Sequence, residues 1–250
     1  MTPNSIGPDI TIRTTTLCNN SCPECSARPW MLNNPNYHTS LDDIRGFIFH
    51  TVESGYFFNQ ILLSGGEPTL WVNLMEASRL LADSKQRITA SFKMYTNGSI
   101  IESSGTGIID ELLRYIDFIY VTNYGPRNSR ARDMVSSKYR DGRVVVINNN
   151  LHFVRPRSPV DSSLPADCGC DAFCLFNGSI DLCSPPRTIM YDMGKVPEDF
   201  PYFSETLGHR YLDRLLTVDK FNQEFCRYCT ANRKVSSKLR LVHADSGEPA

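Results

Sequence analysis

Short apolar stretches alternate with longer stretches of helical spacing in the first part of the chain. Strand character appears in Asp9–Thr15, Gln60–Leu63, Ala90–Tyr95, Phe118–Thr122 and Arg143–Ile147. Helical spacing covers the segments between them, Leu41–Ser54, Trp71–Ala82, Ile108–Tyr115 and Ser129–Tyr139. Strands that alternate with helices of about a dozen residues are typical of parallel βα units. The pattern predicts an α/β chain of about five or six units, too few for a closed eight-fold barrel.

The alternation ends near Arg155–Pro165, a serine-containing stretch with several prolines. We therefore predict a main domain over residues 1–155 and a smaller unit over residues 156–250. In the smaller unit, Asn177-Gly178 lies between short apolar runs, which favours a β-hairpin. Tyr211–Leu216 has the spacing of a helix.

Composition narrows the possible partners and location of the protein. Apolar residues make up 41% of the chain and the formal net charge is -1, so no strong field favours nucleic acid or an anionic membrane. The first residues lack a basic and an apolar signal region, and no apolar run approaches the roughly 20 residues that span a bilayer. We expect a cytoplasmic protein without a nucleic-acid or membrane partner.

The nine cysteines are the unusual feature of the composition, and they fall into an early group and a late group. Their odd number excludes complete internal pairing. In a reducing compartment, clustered cysteines are more often metal or redox ligands than disulfides. The early group is Cys18, Cys22 and Cys25, directly after the first predicted strand. Three thiolates on one loop can hold a [4Fe–4S] cube and leave one iron open, or they can form a zinc site with a fourth ligand such as His38.

A diglycine turn, Leu63–Pro68, follows the second predicted strand. Its glycines allow the backbone to approach a ligand closely, and the neighbouring Glu67 carboxylate can receive an ammonium group. Such a turn beside a cysteine triplet is much more specific than either feature alone.

Together these motifs resemble the radical S-adenosylmethionine (SAM) superfamily. Its C-x3-C-x2-C signature is present at Cys18, Cys22 and Cys25, its GGEP signature at Gly65–Pro68, and its TNG-type strand end at Thr96–Gly98. The resemblance covers roughly residues 9–150 and implies a partial (β/α)6 TIM-like barrel. One departure is Glu24, which stands where members usually carry an aromatic residue that helps to frame the adenine.

The resemblance also implies the cofactors and the residues that bind them. The early cysteines would hold a [4Fe–4S] cluster, and the methionine part of SAM would chelate its open iron. The implied SAM contacts are Gly65, Gly66, Glu67 and Pro68 of the turn, with Asn97, Asn123 and Asn148 at later strand ends. Reductive cleavage of SAM would give a 5′-deoxyadenosyl radical that removes a hydrogen atom from the substrate.

The late cysteines can form a second centre. A two-residue turn at Asn177-Gly178 places Ala172 opposite Cys183, so Cys170 and Cys174 share a face with Cys183. Together with Cys226-x-x-Cys229 they can form a four-cysteine site, holding either a structural zinc or a cluster.

This second arrangement resembles the twitch domain, the short form of the SPASM extension, which carries one auxiliary [4Fe–4S] cluster. The resemblance implies a small C-terminal iron–sulfur domain built from a β-hairpin and a helix. Its implied ligands are Cys170, Cys183, Cys226 and Cys229, with Cys168 as a rival to Cys170. Cys174 is a further ligand, a buried apolar residue or, like Cys168, a donor of a hydrogen atom to a substrate radical.

The substrate is the least determined feature. The cysteine triplet begins at Cys18, which leaves no room before it for a peptide-recognition domain, so we expect a small polar substrate. Resemblance to small twitch-bearing enzymes suggests an oxidoreductase that dehydrogenates an alcohol of an aminocyclitol or sugar, with a flavodoxin- or ferredoxin-type electron donor. The alternatives are a radical SAM epimerase, a peptide-modifying maturase and, from another class, a zinc-binding module without catalysis.

Overall fold

A computed structural model describes residues 8–22, 25, 37–148, 172–181 and 204–216. The strands of these residues form one sheet in the order β5-β4-β3-β2-β1-β6-β7-β8. Neighbouring strands from β5 to β6 are parallel, whereas β7 and β8 are antiparallel to their neighbours. The strands are β1 Asp9–Arg13, β2 Phe58–Ser64, β3 Thr89–Thr96, β4 Phe118–Asn123, β5 Val144–Asn148, β6 Ala172–Phe176, β7 Ser179–Asp181 and β8 Ser204–Thr206.

Helices occupy the described connections between the parallel strands, as the hydrophobic pattern predicts. They are α1 Leu41–Glu53, α2 Leu74–Ile88, α3 Ser99–Ser104, α4 Gly107–Leu112 and α5 Ser129–Lys138, and a further helix, α6 Tyr211–Leu216, follows β8. Every predicted strand and helix in these segments is present, and α3 and β8 were not predicted. The ends differ most for α2, which runs from Leu74 to Ile88 and not from Trp71 to Ala82. None of the helices among the described residues is long and apolar enough to cross a membrane.

The hydrophobic core lies between the helices and one face of the sheet. Alternate strand residues point into it, with none more than 1% exposed: Ile10, Ile12, Ile61, Leu63, Phe92, Met94, Ile119 and Val121. Helical residues such as Ile44 and Phe47 of α1 and Leu81 of α2 cover this face. Burial of this continuous apolar surface is the main force that fixes the parallel strands side by side.

The opposite sheet face, which we call the inner face, carries polar and aromatic side chains in rows. One row crosses five strands through the paired residues Cys174, Thr11, Leu62, Lys93 and Phe118. Two residues further along β1 and β3, Arg13 and Tyr95 follow on the same face, because strand side chains alternate. The carboxyl end of the inner face therefore carries charged and hydroxyl groups next to the loops that leave the strands.

The predicted hairpin is confirmed. Cys174 pairs with Asp181, and Phe176 pairs with Ser179, which leaves Asn177-Gly178 as a two-residue turn. Positive φ angles of 51° at Asn177 and 67° at Gly178 are those of the type I′ turn that fits the twist of a hairpin. The hairpin joins the main sheet because β6 pairs with β1. The predicted boundary between residues 155 and 156 lies outside the described residues and stays a prediction.

Helix α6, the last helix of the described residues, contacts α1. Tyr211 is fully buried, and its hydroxyl lies 3.1 Å from the Thr51 Oγ1. The Tyr56 hydroxyl donates a hydrogen bond to the Asp213 carboxylate. These contacts join segments about 160 residues apart and hold the end of the described chain against the first βα unit.

Candidate radical SAM site

The segment that leads to the cysteine triplet is held between two loops. On one side, Gly66 N donates to Thr15 O at 2.8 Å and Glu67 N donates to Leu17 O at 2.7 Å. On the other side, Thr16 N donates to Tyr37 O at 2.9 Å. The diglycine turn is thus bonded to the residues directly before Cys18, as the motif resemblance requires.

Both glycines of the turn are needed for this close approach. Gly65 has a φ of 122°, and a Cβ placed on it would lie 2.8 Å from Arg13 Cγ. A Cβ on Gly66 would lie 2.0 Å from Leu17 O, a backbone atom that cannot rotate away. Only glycine therefore fits these two positions without moving one of the backbones.

The three early cysteines are free and partly buried. The pKa of the Cys18 thiol is raised to about 11, chiefly by burial and also by the negative charges of Glu67, Cys25 and Cys22, against the opposing effect of the Asn20 backbone N–H. The effect of the Cys22 and Cys25 charges on Cys18 shows that the three sulfurs are close enough to interact electrostatically. Burial disfavours the thiolate forms of Cys18 and Cys22, which fits a site that a positively charged iron–sulfur centre would neutralise.

The described residues contain no group of three His, Cys, Asp or Glu side chains that is close enough to hold a single metal ion. His38 pairs through its backbone with Thr15, on the strand-like segment beside the triplet. The alternative in which His38 completes a zinc site with the early cysteines stays a prediction, as the cluster ligands do.

The Glu67 side chain joins the turn to the end of β3. It is 1% exposed, and its Oε1 accepts hydrogen bonds from Thr69 N at 3.1 Å, Thr69 Oγ1 at 2.7 Å and Thr96 Oγ1 at 2.7 Å. Its Oε2 accepts one from Asn97 N at 2.7 Å. The carboxylate thereby positions the two loops relative to each other, and its contact with the ammonium group of SAM stays a prediction.

Glu67→Gln is expected to destabilise the protein by about 2 to 3 kcal/mol. Each carboxylate oxygen accepts a backbone N–H, from Thr69 or from Asn97, so an amide NH2 in either orientation faces a donor. Denaturant unfolding measures the loss. Glu76→Gln is the matched control, because Glu76 is a surface residue paired with Arg79, and it should change stability by less than about 1 kcal/mol. Equal stability of the two variants would contradict the role of Glu67.

The predicted asparagines lie at neighbouring strand ends. Asn97 Nδ2 donates to Asn19 Oδ1 at 2.7 Å, which links the β3 exit to the loop of Cys18. Asn123 Nδ2 donates to Asn148 Oδ1 at 3.2 Å across the ends of β4 and β5. Their contacts with SAM stay predictions. The structure brings all three to the edge of the sheet where the cysteine loop lies.

Two further residues of this edge were missed by sequence reasoning. Asn128 is 3% exposed, and its Nδ2 donates to Asn97 O at 2.9 Å and to Thr122 O at 2.6 Å. Asn19 is the partner of Asn97. Their positions in the sequence carry no distinctive motif, so only the tertiary arrangement identifies them.

Of the late cysteines, Cys174 lies among the described residues, and Cys168, Cys170, Cys183, Cys226 and Cys229 lie outside them. Cys174 is fully buried, and its Sγ–H donates weakly to Leu175 O at 3.9 Å. It sits on the inner face beside Thr11 and opposite Asp181. The auxiliary cluster and its ligands stay predictions.

The family profile for a "4Fe-4S single cluster domain" matches residues 10–140. That match covers more than half of the chain. The chain belongs to this 4Fe-4S single cluster domain family. Its matched region contains the cysteine triplet, the diglycine turn and the first four strands, so the predicted [4Fe–4S] cofactor is confirmed at the level of the family. No curated protein shows a significant sequence match to the chain.

Solved structures share the fold of this 4Fe-4S family member. BtrN in complex with AdoMet and 2-DOIA is 16% identical, with a TM-score of 0.60, and the match covers 94% of this chain and 92% of that one. Native anSMEcpe with bound AdoMet is 12% identical, with a TM-score of 0.51 and coverages of 89% and 88%. Native anSMEcpe with bound AdoMet and Kp18Cys peptide is 13% identical, with a TM-score of 0.50 and the same coverages.

Family and fold together confirm two predictions. The chain belongs to a 4Fe-4S family, and its α/β fold is that of a partial barrel in which a hairpin extends the parallel sheet.

Proposed function

We propose that this enzyme binds SAM at a [4Fe–4S] cluster held by Cys18, Cys22 and Cys25 and oxidises a small polar substrate. The observation that carries the proposal is the pair of hydrogen bonds from Gly66 N and Glu67 N to Thr15 O and Leu17 O. These hydrogen bonds hold the diglycine turn beside Leu17, the residue before Cys18. The turn has room for the backbone of an amino-acid-like ligand to approach. When bound, SAM and the cluster would supply the one-electron chemistry that removes a hydrogen atom from an alcohol carbon; oxidation of that carbon to a carbonyl would then release its proton to solvent and one electron to the auxiliary cluster that the late cysteines would hold.

The protein's own contribution is orientation. Glu67, Thr96 and Asn97 fix the turn against the β3 end, and Asn97 fixes the cysteine loop through Asn19. Preorganised loops keep reacting groups in position, and small displacements of such groups lower rates strongly. We infer that Gly65, Gly66 and the strand-end asparagines Asn97, Asn123 and Asn148 form the SAM-binding site, which we call the SAM seat.

The inner face supports a polar substrate. Lys93, Tyr95 and Tyr120 lie on it below the cofactor loops, and the two tyrosine rings are 5.2 Å apart. The Lys93 ammonium and the two tyrosine hydroxyls can form hydrogen bonds with a hydroxylated ring, and the tyrosine rings can pack against it. The similarity over nearly the whole chain to a BtrN structure that holds 2-DOIA supports a compact substrate, and we propose dehydrogenation of an aminocyclitol or sugar alcohol.

Anaerobic turnover with a panel of aminocyclitols and sugar alcohols tests this reaction. We expect 5′-deoxyadenosine and a carbonyl product in equal amounts. When the substrate is deuterated at the carbon that is oxidised, the deuterium should appear in the 5′-deoxyadenosine. Unreactive controls are the same compounds with that alcohol removed. An isomerised product without oxidation would instead identify an epimerase, with Cys168 or Cys174 as the hydrogen-atom donor.

A peptide substrate is the second candidate, because the fold is also shared with anSMEcpe bound to a peptide. This candidate is tested by incubating the protein with any short peptide encoded beside its gene and analysing the peptide by mass spectrometry. Modification of such a peptide, with no reaction of the small alcohols, would replace the first proposal.

A further inference from the structure

Lys93 and three aromatic residues form a patch on the inner face of β3 and β4. Lys93 pairs in register with Phe118, and Tyr95 pairs with Tyr120. The Lys93 Nζ lies 6.0 Å from the centre of the Phe118 ring, so the ammonium stays close to the sheet. Tyr95 and Phe118 are each 38% exposed, although neighbouring strands flank both β3 and β4. Open aromatic surface around a charged group is typical of a small-molecule site.

Lys93 differs from the other two lysines of the described residues in its charge environment. Lys93 is half-buried. Among the residues that the structure describes it forms no ion pair, whereas Lys85 and Lys138 each lie against the carboxylate of an aspartate. A half-buried ammonium gains from a negatively charged partner, because burial removes part of its water. Lys93 can therefore take such a partner from a bound ligand.

The carboxylates of the inner face lie away from Lys93. The described strands carry two there, Asp9 on β1 and Asp181 on β7. Asp9 is the first residue of its strand and accepts hydrogen bonds from the side-chain amides of Asn59 and Gln60. Asp181 is 1% exposed, and β7 is four strand positions from β3. Among the described residues, the inner face around Lys93 therefore carries an uncompensated positive charge.

Lys93 also lies on the strand that leads to the SAM seat. It is four residues before Asn97, which corresponds to about 13 Å along the strand. Tyr95 lies between them on the inner face, because strand side chains alternate. A compact ring packed on Tyr95 can therefore face the SAM seat at one end and the Lys93 ammonium at the other.

We propose that Lys93 is a specificity-determining residue that binds an anionic group of the substrate, a carboxylate or a phosphate. The inference rests on the proposed function, and it narrows the substrate class to sugar alcohols that carry an acidic group. An ammonium forms charge-assisted hydrogen bonds with either anion. The amines of an aminocyclitol are protonated near neutral pH, so such a compound meets a like charge at Lys93 and is disfavoured.

Binding of glucose, glucuronate, glucose 6-phosphate and glucosamine, which share one ring and differ in charge, tests the proposal. Equilibrium dialysis measures their binding to the anaerobically reconstituted full chain in the presence of SAM. We expect one of the two anions to bind at least about tenfold more tightly than glucose, and glucosamine to bind more weakly than glucose. Tighter binding of glucuronate identifies a carboxylate as the group bound by Lys93, and tighter binding of glucose 6-phosphate identifies a phosphate.

Three variants connect this preference to Lys93. Lys93→Gln removes the charge and should weaken binding of the favoured anion about 10- to 100-fold, with less than about a twofold change for glucose. Lys93→Arg keeps the charge and should keep most of the preference. Lys138→Gln is the matched control, because Lys138 is an exposed residue paired with Asp110, and it should bind all four compounds as the unsubstituted chain does.

Equal binding of the four compounds, or no measurable binding of any of them, overturns the inference. A preference for anions that persists in Lys93→Gln assigns the anion to another residue and overturns the role of Lys93. Binding is measured without turnover, so failures of the two proposals can be told apart. If the preference depends on Lys93 but no alcohol gives a carbonyl product, the inference is supported and the proposed reaction is wrong. If aminocyclitols are oxidised and binding shows no charge preference, the proposed reaction is supported and the inference is wrong.

Discussion

Replacement of Cys18, Cys22 and Cys25 by alanine is expected to remove about four irons and four sulfides from each reconstituted chain. It should also abolish formation of 5′-deoxyadenosine, because no iron with an open coordination position is left to bind SAM. Iron and sulfide analysis and chromatography of the nucleoside products measure both effects. This is the largest single effect that the proposed chemistry predicts, since it removes the centre at which the reaction begins.

Ser21→Ala is the matched control for the cysteine variant, because Ser21 lies in the same loop with an exposed side chain. It should keep the iron content and the product. If the unsubstituted chain instead binds zinc and no sulfide, the radical mechanism has no basis. If the triple variant still forms 5′-deoxyadenosine, the cluster is held elsewhere in the chain.

The strands were predictable because their hydrophobic pattern and their turns are local signals. Asn177-Gly178 specified both the turn and the register of β6 with β7, since both residues adopt the positive φ that a type I′ turn requires. The pairing of β6 with β1 was not predicted. No local pattern shows which edge of a parallel sheet a distant strand will join.

The start of α2 shows where local reasoning fails. The spacing predicted a helix from Trp71, whereas the helix begins at Leu74. Pro68–Leu70 forms a short 3-10 turn capped by the Glu67 carboxylate, and the Trp71 indole N–H donates to Thr39 O at 2.9 Å. A tertiary hydrogen bond holds Trp71 outside the helix, and its apolar character gave no sign of this.

The cysteine triplet and the diglycine turn could be identified from the sequence, but the hydrogen bonds that support them could not. The loop of Cys18 and the diglycine turn were correctly brought together, because the carboxyl ends of neighbouring parallel strands meet at one edge. The role of Glu67 depends on Thr96 and Asn97, which are about 30 residues away. Such partners follow from the register of the sheet and not from any spacing in the chain.

Gly66→Ala is expected to slow 5′-deoxyadenosine formation about 100-fold while the iron content stays near that of the unsubstituted chain. The new Cβ would lie 2.0 Å from Leu17 O, so the turn or the segment before Cys18 must move by a large part of an ångström or more. That movement displaces the proposed SAM seat from the cluster, and overpacking of this kind also costs about 1 to 3 kcal/mol of stability. Initial rates at saturating SAM, SAM affinity and denaturant unfolding measure the three effects.

The same substitution at Gly46 is the matched control. Gly46 lies within α1, and a Cβ there meets no atom within 4 Å. Gly46→Ala should therefore stabilise the protein by up to about 1 kcal/mol through helix propensity and leave the rate unchanged. If Gly66→Ala lowered stability but not the rate, the turn would support only the fold. If neither changed, the close approach of the turn to the segment before Cys18 would be wrong, and with it the proposed SAM seat.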